Sequence, residues 1–302
     1  MKSKKIIIGS RGSKLALIYA ERAREKLLNF CSEVEIKKIV TDGDLNQKDR
    51  LSDIGGKGLF SKKIENNLIN NQIDIAVHAL KDMPSEEPEG LITNCFLERN
   101  DPREVLISKN NNQIINLKTN SVIGTSSLRR EYQLKRIRND LKYKLIRGNV
   151  DTRINKLNDG LYDAIILAYA GLKSLNIDKK ISQIFSTQEI IPSVGQGVVA
   201  LQCRKNDRHT LKLLSKINHE KTSISVNAER YFLKVLEGDC ETAVGAFAYV
   251  ENDVVNLNAE LFSIDGKQRF YHHSKKDIML SKELGLEVGG ILKKVSKDSY
   301  KR

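Results

Sequence analysis

Short apolar runs alternate along this chain with segments whose apolar residues recur every three or four positions, the pattern of strands followed by amphipathic helices. Ile6 to Ile8 predicts a buried strand. Ser13 is placed to cap a helix whose apolar stripe is Leu17, Ala20, Ala23 and Leu27. Further strands are predicted at Glu35–Val40, Ile73–Val77, Val105–Ile107, Val122–Ile123, Tyr143–Ile146, Ala164–Leu167 and Val198–Cys203. Leu59–Ile69 is helical by period, with Phe60, Ile64 and Leu68 on one face. Such alternation predicts α/β architecture, with mainly parallel sheets covered by helices on both faces. Beyond a helix at Thr222–Leu236 the pattern changes. Alternating segments near Ala243–Val250, Val254–Leu261 and Gln268–Tyr271 predict a small antiparallel sheet, and a helix from about Ser281 to Val295 completes an α+β unit.

Two interruptions divide the α/β part, Asn100-Asp101-Pro102 and Pro192-Ser193-Val194-Gly195-Gln196-Gly197. They read as crossings of a chain that leaves one domain, builds a second and returns. The predicted domains are residues 1–99 with 198–218, an inserted 100–197, and 219–302. At 302 residues, two or three domains is also what length alone predicts. Thr41 to Gly58 reads as a long loop, and its Gly55-Gly56-Lys57-Gly58 as a hinge or mobile cover.

Charge changes the picture more than composition does. A net charge of +13 implies an acidic partner, and nucleic acid, an anionic membrane and a small polycarboxylate are all open on that ground. Aromatic content of 6% with no Trp, and no zinc-finger, basic-zipper or RNP-type signature, count against a nucleic-acid platform. No apolar run approaches the roughly 20 residues of a membrane helix. The basic start of the chain is followed by too short an apolar run for a signal peptide, so a cytoplasmic protein is expected. No long apolar patch or heptad seam is evident, and a monomer is expected.

The basic residues concentrate between Gly124 and Arg153, nine Lys or Arg against three acids. Arg129 and Arg130 fall in the first turn of a predicted helix after Gly124-Thr125-Ser126-Ser127, and Arg153 opens another after Arg147-Gly148-Asn149. Cations are disfavoured at a helix N-terminus, where the macrodipole is already positive. Arginines placed there twice point to an anion, with a nucleic-acid patch or a solvated surface as the plainer reading. Arg11 with Ser13, Lys81 with Asp82, Thr125 to Arg130, Arg147 with Asn149, and Gln196 all come close after predicted strands. Ligands of open α/β sheets bind outside the carboxyl ends of strands, so two facing domains would gather these clusters into one cleft.

Asp82 is the carboxylate among these cations. It reads either as a turn residue that offsets arginines or as a group that stabilises developing positive charge and moves protons. His78 reads as a packed strand residue. His272 and His273 point to opposite faces, and no ligand spacing for a metal is present, so none is expected. Cys31, Cys95, Cys203 and Cys240 lack CxxC spacing and read as free thiols. Cys240, in the turn Glu237-Gly238-Asp239-Cys240, is singled out by position as the reactive one.

Taken together, the segments GSRGSKLAL, GGKGLF, DIAVHALKD, DPRE, GTSSLRR, RGNVDTR, YDAIILAYAGL, PSVGQG and LEGDC resemble the porphobilinogen deaminase (hydroxymethylbilane synthase) family in order and spacing, over nearly the whole chain. The resemblance implies two doubly wound α/β domains like type II periplasmic binding protein lobes, plus a small C-terminal α+β domain. It implies a transferase of tetrapyrrole and haem biosynthesis that joins four porphobilinogen units, with loss of ammonia, into hydroxymethylbilane. A dipyrromethane cofactor, held by a thioether to Cys240, would prime the chain. Arg11, Arg129, Arg130, Arg147 and Arg153 would bind pyrrole acetates and propionates, a role that suits planar guanidinium better than ammonium. Ser13, Thr125, Ser127, Lys81 and Gln196 would line the cleft, and Lys57 would belong to the mobile loop. Asp82 would stabilise the azafulvene cation and assist α-proton removal. Ala79, Ser174 and Asp239 depart from the pattern, standing where serine, arginine and glycine are usual. The partners implied are porphobilinogen and its oligopyrrole intermediates, with no nucleic acid and no membrane. A non-catalytic small-anion binding protein of the same two-lobe build is the competing reading.

Overall fold

A computed structural model describes residues 5–45, 58–238 and 242–301. The first lobe starts with β1 (Ile6–Arg11), α1 (Lys14–Leu27), β2 (Val34–Ile39) and the single turn α2 (Asp42–Leu45). It continues with α3 (Lys62–Ile69), β3 (Ile75–Ala79) and β4 (Leu91–Phe96). The second lobe holds β5 (Glu104–Ser108), β6 (Val122–Gly124), α4 (Leu128–Ile137) and β7 (Lys142–Lys144). It also holds α5 (Val150–Asn158), β8 (Ala164–Ala168), α6 (Tyr169–Ser174) and β9 (Gln183–Ile184). The chain then returns to the first lobe as β10 (Val199–Arg204) and α7 (Arg208–Ser215). The closing unit comprises α8 (Glu220–Leu236), β11 (Val244–Glu251), β12 (Val254–Phe262), β13 (Arg269–Asp277) and α9 (Ser281–Ser296).

The two large sheets have orders β2-β1-β3-β10-β4 and β7-β6-β8-β5-β9. Both are mainly parallel, as the alternation predicts, but each contains one antiparallel strand, β10 in the first and β5 in the second. These are the strands that directly follow the two crossings, so a strand entering from the other lobe runs against its neighbours. Apolar clusters lie on both faces of each sheet. In the first lobe, Tyr19, Ala23, Leu27 and Leu214 pack on one side, and Ile64, Leu68 and Leu91 on the other. Several predicted boundaries shift: β3 spans Ile75–Ala79 rather than Ile73–Val77, and β13 runs on to Asp277. β7 ends at Lys144, because it is an edge strand paired over three residues with β6, and Ile146 turns into the core instead. α3 begins at Lys62, after a turn at 58–61.

The crossings lie side by side. Asn100 N–H donates to Gly197 O at 2.8 Å, and Gln196 Nε2 donates to Pro102 O at 2.7 Å. Gly197 has φ +81°, and a Cβ there would stand 2.5 Å from Asn100 O, so both conformation and space require glycine. Glu229 of α8, fully buried, ties this hinge to the closing unit. It accepts from Arg99 at 2.6 and 3.1 Å, from Gly195 N–H at 2.7 Å and from Ala248 N–H at 2.8 Å. The antiparallel sheet β11-β12-β13 buries one face against α8 and α9.

Candidate functional site: a cationic cleft between the lobes

The carboxyl ends of β1 and β3 and the turns after β6 and β7 open onto one cavity of about 420 Å³. From the first lobe it is lined by Arg11, Ser13, Lys81 and Asp82. From the second it is lined by Ser127, Arg129, Arg130, Arg147 and Arg153, and from the returning crossing by Gln196. This is the strand-end location that open α/β sheets give their ligands. Thr125 is buried and does not line it, its hydroxyl accepting instead from Ser127 N–H at 3.1 Å. Lys57, Asp239 and Cys240 lie outside the described residues. Gly58, Gly238 and Thr242, which border those segments, line the cavity.

On the second lobe, Ser127 caps α4 by accepting from Arg130 N–H at 3.4 Å. Arg129 donates to Ile191 O at 2.7 Å and to Glu104 Oε1 at 2.6 Å. Arg130 Nη2 stands 2.8 Å from Glu104 Oε2, and its Nη1 donates to Ile166 O at 3.2 Å. Glu104 is fully buried. Burial pushes its carboxyl up, but Arg130 and Arg129, with Lys81, more than reverse this and hold it at about 2. The anion that the arginines of α4 call for is thus supplied by the chain itself. In the sequence, the DPRE segment assigns no role to Glu104. Its signal is a carboxylate directly preceding the apolar run Val105–Ile107 of a strand, EVLIS, whose residues are all buried.

Arg147 and Arg153 differ. Arg153 Nε donates to Gly148 O at 2.8 Å, and no ion pair to either guanidinium is found among the described residues. Burial, with repulsion from Arg130 and Arg147, pushes Arg153 down to about 10. Burial lowers Arg147 as well. Among the described residues, Nε of Arg130 and Nε of Arg147 are buried without an acceptor.

On the first lobe, Ser13 caps α1, accepting from Ala16 N–H at 3.3 Å, and also faces the cavity. A 3-10 turn, Leu80–Asp82, follows β3 directly and carries both polar residues to the cleft. Lys81 Nζ donates to Gln196 Oε1 at 3.4 Å. Burial, aided by Arg130 and opposed by Asp82 and Glu104, pushes Lys81 down to about 8. Asp82 keeps 38% side-chain exposure, with Arg11 Nη1 at 3.9 Å. Arg11 is held by Asp44, a second contact the sequence did not disclose.

Other candidates take structural places. His78 is buried in β3, and burial pushes it down to about 4. Cys31 is buried, and Cys95 and Cys203 are buried free thiols, Cys95 pushed up to about 12 by burial. No group of metal-ligating side chains occurs among the described residues, and no described helix is long and apolar enough to cross a membrane.

The fold and site therefore define a two-lobed α/β protein with a third α+β unit, whose lobes close on an arginine-rich cleft holding few carboxylates. Residues 6–212 match the family model described as porphobilinogen deaminase, dipyromethane cofactor binding domain, and residues 223–294 match porphobilinogen deaminase, C-terminal domain. Porphobilinogen deaminase of Brevibacillus brevis is 43% identical over 288 residues, covering 94% of this chain and 93% of its own. That of a Geobacillus species is 47% identical over 270 residues, covering 88% and 86%. A solved methionine binding protein, MetQ, superposes with a TM-score of 0.45 at 12% identity, covering 75% of this chain and 92% of that one. The chain belongs to the porphobilinogen deaminase family.

Proposed function

We propose that this cleft joins four porphobilinogen molecules head to tail, releasing ammonia at each step, to give the linear tetrapyrrole hydroxymethylbilane on a covalently held dipyrromethane. The observation that carries the reading is the gathering of Asp82 and the arginines of the second lobe around one cavity. The residues fit the cofactor: among the described residues, Nε–H of Arg130 and of Arg147 is buried without an acceptor, and acetate and propionate side chains are planar acceptors of opposite charge. When bound through Cys240, the dipyrromethane supplies the nucleophilic pyrrole carbon that primes the chain.

Arg147 and Arg153 bind carboxylates and fix the ring planes, and Arg129 and Arg130, which line the same cavity, add positive charge behind them. Lys81 adds a point charge held against Gln196. Departure of ammonia from porphobilinogen leaves a cation delocalised onto the pyrrole nitrogen. Asp82 accepts that N–H at a carboxylate oxygen and offsets the charge, in a cleft otherwise hostile to cations. The same oxygen accepts the α-proton after coupling. Residues 1–99 with 198–218, 100–197 and 219–302 act as the three units of a monomer in the cytoplasm.

The test is Asp82→Asn. Porphobilinogen consumption should fall at least ~100-fold, the scale of losing one placed electrostatic group, with the thermal midpoint unchanged. Intact mass should still show an adduct of two pyrrole units, absent from Cys240→Ser. Near-normal turnover of Asp82→Asn removes the carboxylate from the mechanism.

A further inference from the structure

Arg11 stands between two carboxylates and contacts them unequally. Its Nε and Nη2 donate to Asp44 Oδ1 at 3.1 and 2.5 Å, whereas Nη1 remains 3.9 Å from Asp82 Oδ2. The flat face of the guanidinium lies over the Phe60 ring, 4.1 Å from its centroid. Asp44 is anchored in turn. Its Oδ2 accepts from the Thr41 hydroxyl at 2.7 Å and from Thr41 N–H at 3.3 Å, and Thr41 is fully buried. Arg11 is therefore gripped on one edge and one face, and its one remaining nitrogen stops short of hydrogen-bond distance to Asp82.

A guanidinium beside a carboxylate closes to a charge-assisted hydrogen bond unless something restrains it. We propose that Asp44 is a positioning residue for the reaction: by holding Arg11 along its Nε–Nη2 edge, it prevents Arg11 from closing onto Asp82 and keeps that carboxylate available to the cation formed when ammonia leaves. The inference rests on the reading of Asp82 given above. It also changes the place of Arg11, which becomes a held charge behind Asp82, with the edge best suited to a ligand carboxylate already occupied. The other groups acting on Asp82 among the described residues are Lys81 on its own turn, Arg153 from α5 and Tyr19 from α1.

The experiment is steady-state kinetics of Asp44→Asn, which removes the charge and keeps the shape, in protein whose two-pyrrole adduct and thermal midpoint match the parent. The expected result is a fall in kcat of about tenfold, smaller than outright loss of an electrostatic group, with KM within about twofold. Asp44→Glu should recover part of kcat, and Asp44→Asn should have no further effect on kcat in an Asp82→Asn background. A raised KM with kcat unchanged overturns the proposal, leaving Asp44 a scaffold for ligand binding. A lowered KM with unchanged kcat also overturns it, since Asp44 would then merely compete with ligand for Arg11. If Asp82→Asn is severely impaired but Asp44→Asn is normal, only this inference fails. If Asp82→Asn itself turns over normally, the underlying reading fails first.

Discussion

Arg129 and Arg130 at the start of α4, and Arg147 with Arg153 around the start of α5, follow successive turns of the same lobe and line the same cavity. The first pair shares the buried carboxylate of Glu104, while the second has no ion pair among the described residues. In both places the helix N-terminus adds positive potential to the arginines. At α4 the chain answers with its own anion, so the arginines are fixed whether or not a ligand is present. At α5 the charge is left for a ligand to answer. One pair is thus a rigid wall that also binds, and the other is a binding surface whose cost is met only on occupancy.

Removing Glu104 should break that distinction with the largest effect. Glu104→Ala leaves two buried guanidiniums without a counterion and should lower unfolding free energy by about 3–5 kcal/mol, read from urea or thermal denaturation. The sign with pH follows from its depressed carboxyl. The contribution is complete above the ordinary value of 4.5 and is lost as pH falls toward about 2, so acid unfolding of the parent should steepen in that window and flatten in Glu104→Gln. Equal stability of Glu104→Ala and parent would refute the rigid-wall account.

Arg147→Ala and Arg153→Ala should behave in the opposite way. Stability should hold or rise, because a repelled, partly desolvated cation is removed. Affinity for porphobilinogen should fall by about 1.5–3 kcal/mol for each, the scale of a hydrogen bond to a charged group. The same contrast is visible when the anion is removed. Cys240→Ser, lacking the covalent dipyrromethane, should melt below the parent and gain stability from an added polycarboxylate. That gain should shrink in Arg153→Ala.

The sequence carries the strand–helix alternation, both crossings and the strand-end position of each polar cluster, because periodicity and turn residues are local signals. It does not carry the partners. Glu104 lies 25 positions from Arg129, and only the pairing of β5 with β8 brings it under α4. Asp44 sits in a segment that reads as loop, and nothing local tells it to grip Arg11. Thr125 reads as a cleft residue because it follows a strand, but its hydroxyl goes to the Ser127 N–H. Boundaries slipped where tertiary context overrode periodicity, as at β7, whose edge position allows only three paired residues. Charge signals showed where cations gather, and only the fold decides which of them are already answered.

Lys81 offers a smaller test of the unanswered side. Burial and Arg130 push it down to about 8, with Asp82 and Glu104 opposing, so its ammonium is present below that pH and lost above it. The alkaline limb of kcat/KM should therefore fall near pH 8 and be absent in Lys81→Gln. For kcat the limb should lie higher, since bound carboxylates favour the charged form. Coincident limbs would mean that Lys81 does not meet the ligand.

The smallest effect separates the two caps at the cleft. Ser13 and Ser127 each accept one backbone N–H, at 3.3 and 3.4 Å. Either serine changed to alanine should cost about 1 kcal/mol of stability. The consequences for binding should differ, because the N–H that Ser127 holds belongs to Arg130. Ser127→Ala lets the first turn of α4 loosen beneath an arginine already fixed by Glu104, so KM should change by less than about twofold. Ser13→Ala frays α1 next to Arg11 on the opposite wall, where Asp44 and the Phe60 ring supply the grip. A larger KM or kcat change there than at Ser127 would show that Glu104 buffers its wall against local loosening more strongly than Asp44 does. Equal changes would place the rigidity in the helices rather than in the two carboxylates.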